Sequence, residues 1–276
     1  MKKLLALLLA ALMIVTFAAC SNKEDEKEDL KDYLQEEIVI DQVTIGSSTY
    51  HFDNIDSETV TITDYVGVDT PHDVEIPAEL NGKTVVGISE SAFYYHSNIK
   101  SVKIPDTVKT IGKYAFAGCS MLEVVTIPAG VETMGEGAFY GCTGLLVLNF
   151  STDSKLTDIP RQAFSDCTAL VAANIPSTVK TIGTGAFLGC SSIARVKVAE
   201  GVEVIGSQAF QNCTALASLK LPASVASIGE LAFYGSDNLY RNAVECPEGS
   251  YADGVIDGMI LTASAPADPG EDTPVA

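Results

Sequence analysis

The chain has 276 residues, 47% of them hydrophobic, which is enough to bury a large core. Asp and Glu number 36 against 17 Lys and Arg, a formal net charge of −19. Such a balance excludes nucleic acid as a partner, because binding to a phosphate backbone rests on clustered cations.

The first segment reads Met1-Lys2-Lys3, an apolar run from Leu4 to Val15, then Phe17-Ala18-Ala19-Cys20. A basic start, a short apolar stretch and small residues before a cysteine are the marks of an export leader, too short for a stable membrane span. Two processing routes are open. Ordinary cleavage after Ala19 would place bulky Phe17 where small residues are wanted, whereas Ala18-Ala19-Cys20 resembles a lipobox, with Cys20 lipidated as the new terminus. The first route leaves a secreted protein and the second one held to the membrane only through its N-terminal lipid. Residues 1–19 are thus expected to be leader, and 20–37, charged and without apolar periodicity until Leu30, a solvated tether.

From 38 to 72, alternating runs such as Val43-Thr44-Ile45, Tyr50-His51-Phe52 and Val60-Thr61-Ile62 predict two to four strands, a β cap over an otherwise open sheet edge. Beyond it stand Phe93, Phe116, Phe139, Phe164, Phe187, Phe210 and Phe233, spaced by 23 residues except for one interval of 25 before Phe164. A fixed period of this length means a stacked array in which each coil buries its apolar face on its neighbours. The type coil runs Ile99, Val102, Ile104-Pro105, Val108, Ile111-Gly112, Ala115-Phe116, Cys119. Its first part predicts one strand per coil, closed by Pro105, Pro128, Pro176 and Pro222, which lack the N–H that a ladder needs. Gly112, Gly135, Gly183, Gly206 and Gly229 are read as turn residues with positive φ, and each Ala-Phe pair as an inward-facing short helical turn. The seven rings would form a spine at about 5 Å spacing. The array spans 73–239, a second cap 240–261, and a Pro- and Asp-rich tail, expected to be disordered, 262–276.

The repeated pattern I-P-x-x-V-x-x-I-G-x-x-A-F-x-x-C-x-x-L-x-x-V closely resembles the BspA-like leucine-rich repeat family of bacterial surface proteins. Ile76-Pro77 through Asn81-Gly82-Lys83 to Ile88 resembles that family's opening coil, and Cys246-Pro247-Glu248-Gly249-Ser250-Tyr251 its closing segment. The resemblance implies a β-rich right-handed solenoid, with a parallel sheet on one face and short turns on the other. It further implies a non-catalytic binding or adhesion role at the extracellular side of a bacterial membrane, with no enzymatic residues and no cofactor.

The chemistry in the chain agrees with that. Cys119, Cys142, Cys167, Cys190 and Cys213 each follow a repeat Phe by three residues. Parallel side chains one coil apart keep their Cβ atoms beyond disulfide reach, so a ladder of free thiols is expected over bridges, and collinear thiols cannot surround a zinc ion. None of the three histidines has a partner at catalytic spacing. Gly82-Lys83-Thr84 lacks the first glycine of a phosphate loop, and Asp253-Gly254 with Asp257-Gly258 lacks a full calcium-ligand pattern.

The period also allows the outward face of the sheet to be read in columns. These are Lys103, Thr126, Asn149, Asn174, Lys197, Lys220; then Ser101, Val124, Val147, Ala172, Arg195, Ser218; then Lys100, Glu123, Leu146, Val171, Ala194, Ala217, Tyr240. Glu123 is the only acid among these nineteen positions, in a chain where acids outnumber bases twofold. Six bases, counting Arg241, flank an apolar centre of Val124, Leu146, Val147, Val171 and Ala172. The centre is either an interface for a macromolecule, such as a host or neighbouring-cell surface or matrix protein, or a patch covered by a loop or cap. The alternative role, a glycan-binding component of an uptake system, wants exposed aromatics, and this face offers only Tyr240. No small-molecule substrate is indicated.

Overall fold

A computed structural model describes residues 41–259; the leader, Cys20, the tether and the tail lie outside them. Three strands come first, β1 (Gln42–Ile45), β2 (Ser48–Asn54) and β3 (Thr59–Val66). β1 and β2 pair antiparallel, as do β2 and β3. After β4 (His72–Glu75) and the short β5 (Glu79–Leu80), β6 (Lys83–Ile88) lies parallel to β3 and begins the stacked coils.

Each coil then contributes two strands, not the one that the sequence pattern predicts. They are β7 (Ile99–Lys103) and β8 (Thr110–Ile111), β9 (Val124–Ile127) and β10 (Thr133–Met134), β11 (Val147–Phe150) and β12 (Asp158–Ile159), β13 (Ala172–Ile175) and β14 (Thr181–Ile182), β15 (Arg195–Val198) and β16 (Val204–Ile205), β17 (Ser218–Lys220) and β18 (Ser227–Ile228). In four coils the longer strand ends at or one residue short of a proline, Pro105, Pro128, Pro176 or Pro222; in every coil the chain then extends again for two residues, an apolar one inward and a neighbour outward, and a second parallel ladder forms. Partners lie one 23-residue coil apart, Val147 beside Val124 and Ala172 beside Arg195.

Both ladders are interrupted at one place. The longer strands form two four-stranded sheets, β4-β7-β9-β11 and β13-β15-β17-β19, the last strand being β19 (Val244–Glu245). The shorter ones divide between β10 and β12. The two-residue insertion within Phe150 to Pro160 falls at this place: Phe150-Ser151 stands where the neighbouring coils have Ile127-Pro128 and Ile175-Pro176, and Pro160, in the glycine slot, lacks the N–H that Gly135 and Gly183 donate to the preceding coil. The spine does not break. Consecutive repeat Phe rings stack at 4.8–5.7 Å across the whole array, including 5.4 Å between Phe139 and Phe164. Tyr65, 4.8 Å from Phe93, and Tyr50, 5.3 Å from Tyr65, continue it toward the N-terminus. Removing one such buried ring costs about 3–5 kcal/mol.

The Ala-Phe segment is a run of linked turns and not helical. The N–H groups of Tyr114, Phe116 and Gly118 donate to the carbonyls of Glu136, Ala138 and Tyr140 in the next coil at 2.8–3.0 Å. Those of Ala115, Ala117 and Cys119 donate three residues back, to Gly112, Tyr114 and Phe116. Every N–H in the turn is thereby used, which a helix one turn long could not achieve. This alternation needs positive φ two residues before and two after each Phe, as at Tyr114 (φ 53°) and Gly118 (φ 75°).

Gly112, Gly135, Gly183, Gly206 and Gly229 therefore play a different part from the one read in the sequence. Their φ is not positive. They are needed because coils touch there: a Cβ on Gly135 would lie 2.4 Å from the Lys113 amide nitrogen, and one on Gly229 2.3 Å from that of Ser207.

The thiol ladder is buried, and all six described cysteines are free. Each ladder Sγ–H donates to the carbonyl of the preceding coil's Phe, from Cys119 to Phe93 (3.2 Å) through Cys213 to Phe187 (3.3 Å). The Ser236 hydroxyl takes the same role toward Phe210 at 3.0 Å. Past β19, helix α1 (Tyr251–Met259) buries Ala252 and Ile256 against the last coil. Asp253 and Asp257, four apart on α1, both hold Arg241, at 2.7 and 2.8 Å. These carboxylates lock the helix to the coil, and Arg241 belongs to that contact, not to the basic flank of the sheet face.

Candidate interaction face

The longer strands hold Val102, Val125, Leu148, Ala173, Val196 and Leu219 in the core, so the residues alternating with them face outward. Lys103, Val124, Leu146, Val147, Val171, Arg195, Lys197 and Lys220 are all exposed, as is Lys100, while Tyr240 is half-buried. The sheet face thus presents the columns that the period predicts.

Its centre is open among the described residues. Val124, Leu146 and Val147 are 41%, 44% and 39% accessible and Val171 is 50%. These four straddle the break between β11 and β13. Coil-to-coil bonds just before the strands are 2.9 Å from Glu123 N to Lys100 O and 2.8 Å from Leu146 N to Glu123 O, but 3.4 Å from Val171 N to Leu146 O. The apolar patch therefore lies over the one place where the ladders part. Exposed aliphatic side chains on a sheet lacking its cross-strand bonds are an unusual surface for a chain this acidic.

The basic flanks are less free than their residue types imply. Glu75 on β4 and Glu245 on β19 extend the first column by one residue at either end, and pair with Lys103 at 2.5 Å and Lys220 at 3.1 Å. Both pairs are exposed and contribute little to stability, but they neutralise two of the cations. Lys100, Arg195 and Lys197 have no ion pair among the described residues. Sequence columns missed Glu75 and Glu245 because β4 and β19 fall outside the 23-residue period. Lys197 and Lys220 also border an open groove of about 620 Å³, floored by Val198, Leu221 and Pro222.

Nothing resembling a reaction centre accompanies this face. No group of three or more His, Cys, Asp or Glu that could hold a metal occurs among the described residues. Burial pushes the thiols of Cys119, Cys167, Cys190 and Cys213 up, that of Cys213 to about 12, so these four are not nucleophiles near neutral pH. His72 Nε2 lies 2.9 Å from the Tyr65 hydroxyl and its Nδ1 2.9 Å from the Thr70 carbonyl. His96 packs edge-on against Tyr65 and Phe93. Both serve the packing of the first coil. No helix among the described residues is long and apolar enough to cross a membrane.

Comparison with known proteins agrees with the geometry. The family model for the BspA type leucine rich repeat region matches in six copies, over residues 86–216 and 147–248. Among solved structures, a leucine-rich repeat protein of T. pallidum aligns at 30% identity with a TM-score of 0.64, covering 70% of this chain and 89% of that one. A leucine-rich cell surface protein of Faecalibacterium prausnitzii aligns at 32% and 0.63, covering 74% and 54%. A leucine-rich repeat protein of Eubacterium ventriosum aligns at 26% and 0.62, covering 72% and 51%. The chain thus spans most of the first protein and about half of the other two. No curated protein matches it. Repeat pattern, stacked coils and these alignments together establish that the chain belongs to the BspA-type leucine-rich repeat family.

Proposed function

We propose that this protein is a non-catalytic bacterial surface protein that recognises a host or neighbouring-cell surface protein through its sheet face. The observation that carries the reading is the open apolar patch of Val124, Leu146, Val147 and Val171. Its four aliphatic side chains are contiguous and exposed, and it is free of acidic side chains apart from Glu123. Lys100, Arg195 and Lys197 supply the unpaired cations that steer an acidic partner onto it. Attachment through a lipid on Cys20 at the extracellular side of the membrane belongs to the same proposal and rests on Ala18-Ala19-Cys20. A saccharide is a poorer fit for this face, whose single aromatic, Tyr240, is half-buried.

Site-resolved crosslinking tests the reading. With a photo-crosslinking residue at Val147 on the patch, the full chain is expected to capture a discrete protein from host or neighbouring-cell surfaces. With the same residue at Thr133, which is exposed on the other ladder, it is expected to capture none. Equal capture from both positions would overturn the assignment of the sheet face.

A further inference from the structure

We propose that Tyr94, Tyr95, Tyr114 and Tyr140 form a second binding site, a platform for a neutral saccharide chain on the turn side of the first three coils, distinct from the sheet face. Tyr95 is 66% exposed, Tyr94 49% and Tyr140 39%. Tyr94 and Tyr95 meet edge to face at 4.5 Å. The Tyr140 hydroxyl is raised above its ordinary value first by its hydrogen bond with Asp166, and also by Tyr95 and Tyr114, so the rings share one neighbourhood.

Two of these rings are held at a conformational cost that the fold does not require. Tyr95 has φ 59° and Tyr114 φ 53°, the left-handed region that bulky L residues seldom adopt. The slot of Tyr95 is filled in other coils by Gly118, Gly141, Gly189 and Gly235 and by Asp166 and Asn212, while the slot of Tyr114 holds Gly137 and Gly185 but also Ser91, Gln162, Gln208 and Leu231. Packing does not explain Tyr95 either, since most of its surface stays in water. Strain kept at an exposed aromatic side chain points to use of that side chain.

The geometry is that of a stacking surface. A Cβ added to Gly118 would lie 3.0–3.2 Å from three atoms of the Tyr95 ring, and one on Gly137 2.2 Å from the Tyr114 ring. Both rings therefore lie against bare backbone of the next coil; Tyr95 turns its other side to solvent, while the half-buried Tyr114 ring also carries the Lys113 ammonium. Coils repeat here every 4.8–5.1 Å, judged by the Phe93, Phe116 and Phe139 rings. That pitch is comparable to one sugar unit along an extended β-linked chain, so Tyr94 and Tyr140, which share the slot after the repeat Phe two coils apart, would meet every second unit.

The rim decides the ligand class. Glu136 pairs with Lys113 at 3.0 Å and with Arg161 at 3.6 Å, and Lys113 sits 5.4 Å from the centroid of the Tyr114 ring. Acids and bases compensate one another, leaving fixed planar donors and acceptors with little net charge. This suits hydroxyl groups, while the C–H face of a pyranose suits the electron-rich ring face. A polyanion is opposed by the net charge of −19. An apolar peptide finds no aliphatic pocket here, for the intervening Ala117 is buried.

The test uses the full chain and a panel of neutral oligosaccharides, with cellotetraose and chitotetraose as solution probes. The chain contains 10 Tyr and no Trp, so tyrosine emission reports directly. Expected is saturable binding that weakens at least tenfold in the Tyr95→Gly and Tyr114→Gly double variant, whose melting temperature stays equal or rises because glycine suits both slots. A Leu146→Asp and Val171→Asp variant should bind the saccharide normally, which keeps this test separate from that of the sheet face. The proposal is overturned by no binding anywhere in the panel, by unchanged binding in the tyrosine variant, or by a clear fall in that variant's melting temperature, which would make the rings structural.

Discussion

Replacing Gly135 by Ala isolates the role of backbone contact between coils. The new Cβ would lie 2.4 Å from the Lys113 nitrogen and 2.6 Å from Gly112 C and Lys113 Cα. All three are backbone atoms held in the adjoining coil and none can rotate away. Ordinary contact begins near 3.4 Å, so the coils must part by about 1 Å, an overpacking strain of about 1–3 kcal/mol. The Gly135 N–H to Ile111 carbonyl bond, 2.8 Å, would stretch past hydrogen-bond range, a further loss of about 1 kcal/mol. The sum is about 2–4 kcal/mol. Gly141→Ala is the control, because a Cβ there meets nothing within 4 Å although φ is +66°, and only the left-handed cost of about 1–2 kcal/mol applies. Urea unfolding of the two variants, followed by circular dichroism, compares them. A Gly135→Ala loss no greater than that of Gly141→Ala would refute close stacking as the reason for this glycine column.

Leu231 is half-exposed with φ 57°, in the slot that Gly137 and Gly185 fill elsewhere, so Leu231→Gly should leave stability unchanged or raise it by up to about 1 kcal/mol, read as the urea midpoint. Burial holds the His96 imidazole below its ordinary value of 6.5, against the raising influence of Asp64. The unfolded chain therefore takes the proton first, and stability that is complete above pH 6.5 should fall as pH drops below it. His96→Cys, which installs the ladder residue, should flatten that dependence, and an unchanged midpoint-against-pH curve would contradict it. The ladder thiols, all buried, should resist iodoacetamide in the folded protein and react fully in urea, as mass spectrometry can count. A disulfide joining Cys142 and Cys167 would show that the ladder geometry is wrong.

The array was legible in the sequence because every coil repeats the same burial problem: a periodic Phe, Cys and strand triplet can be solved in one way. The outward columns from Lys103 to Lys220 followed from the same period. What escaped lay where period or length failed. Two-residue strands such as β8 are too short to show alternation, and Glu75 and Glu245 pair with Lys103 and Lys220 from strands outside the repeat. Gly112 and its equivalents were read as positive-φ residues, because sequence marks a glycine without distinguishing a turn from a close approach. The true left-handed positions went unnoticed because they carry Tyr, Gln, Asp, Asn and Leu as well as Gly. Of the tyrosines, only Tyr240 was read as a binding residue, since the turn side was read for its buried Phe and not for what surrounds it. The insertion before Phe164 was visible as an interval of 25, yet that both ladders part there beneath the apolar patch required the register of β11 and β13.

The central claim is that the open patch across that break is where a partner protein docks. The most direct measurement is the affinity of the partner captured through residue 147 for the native chain and for the Leu146→Asp and Val171→Asp double variant, with melting temperatures taken alongside. Both side chains face solvent, so the variant should fold normally and lose at least about 2 kcal/mol of binding, because two carboxylates would be desolvated without partners. Undiminished affinity in a normally folded variant would contradict the account.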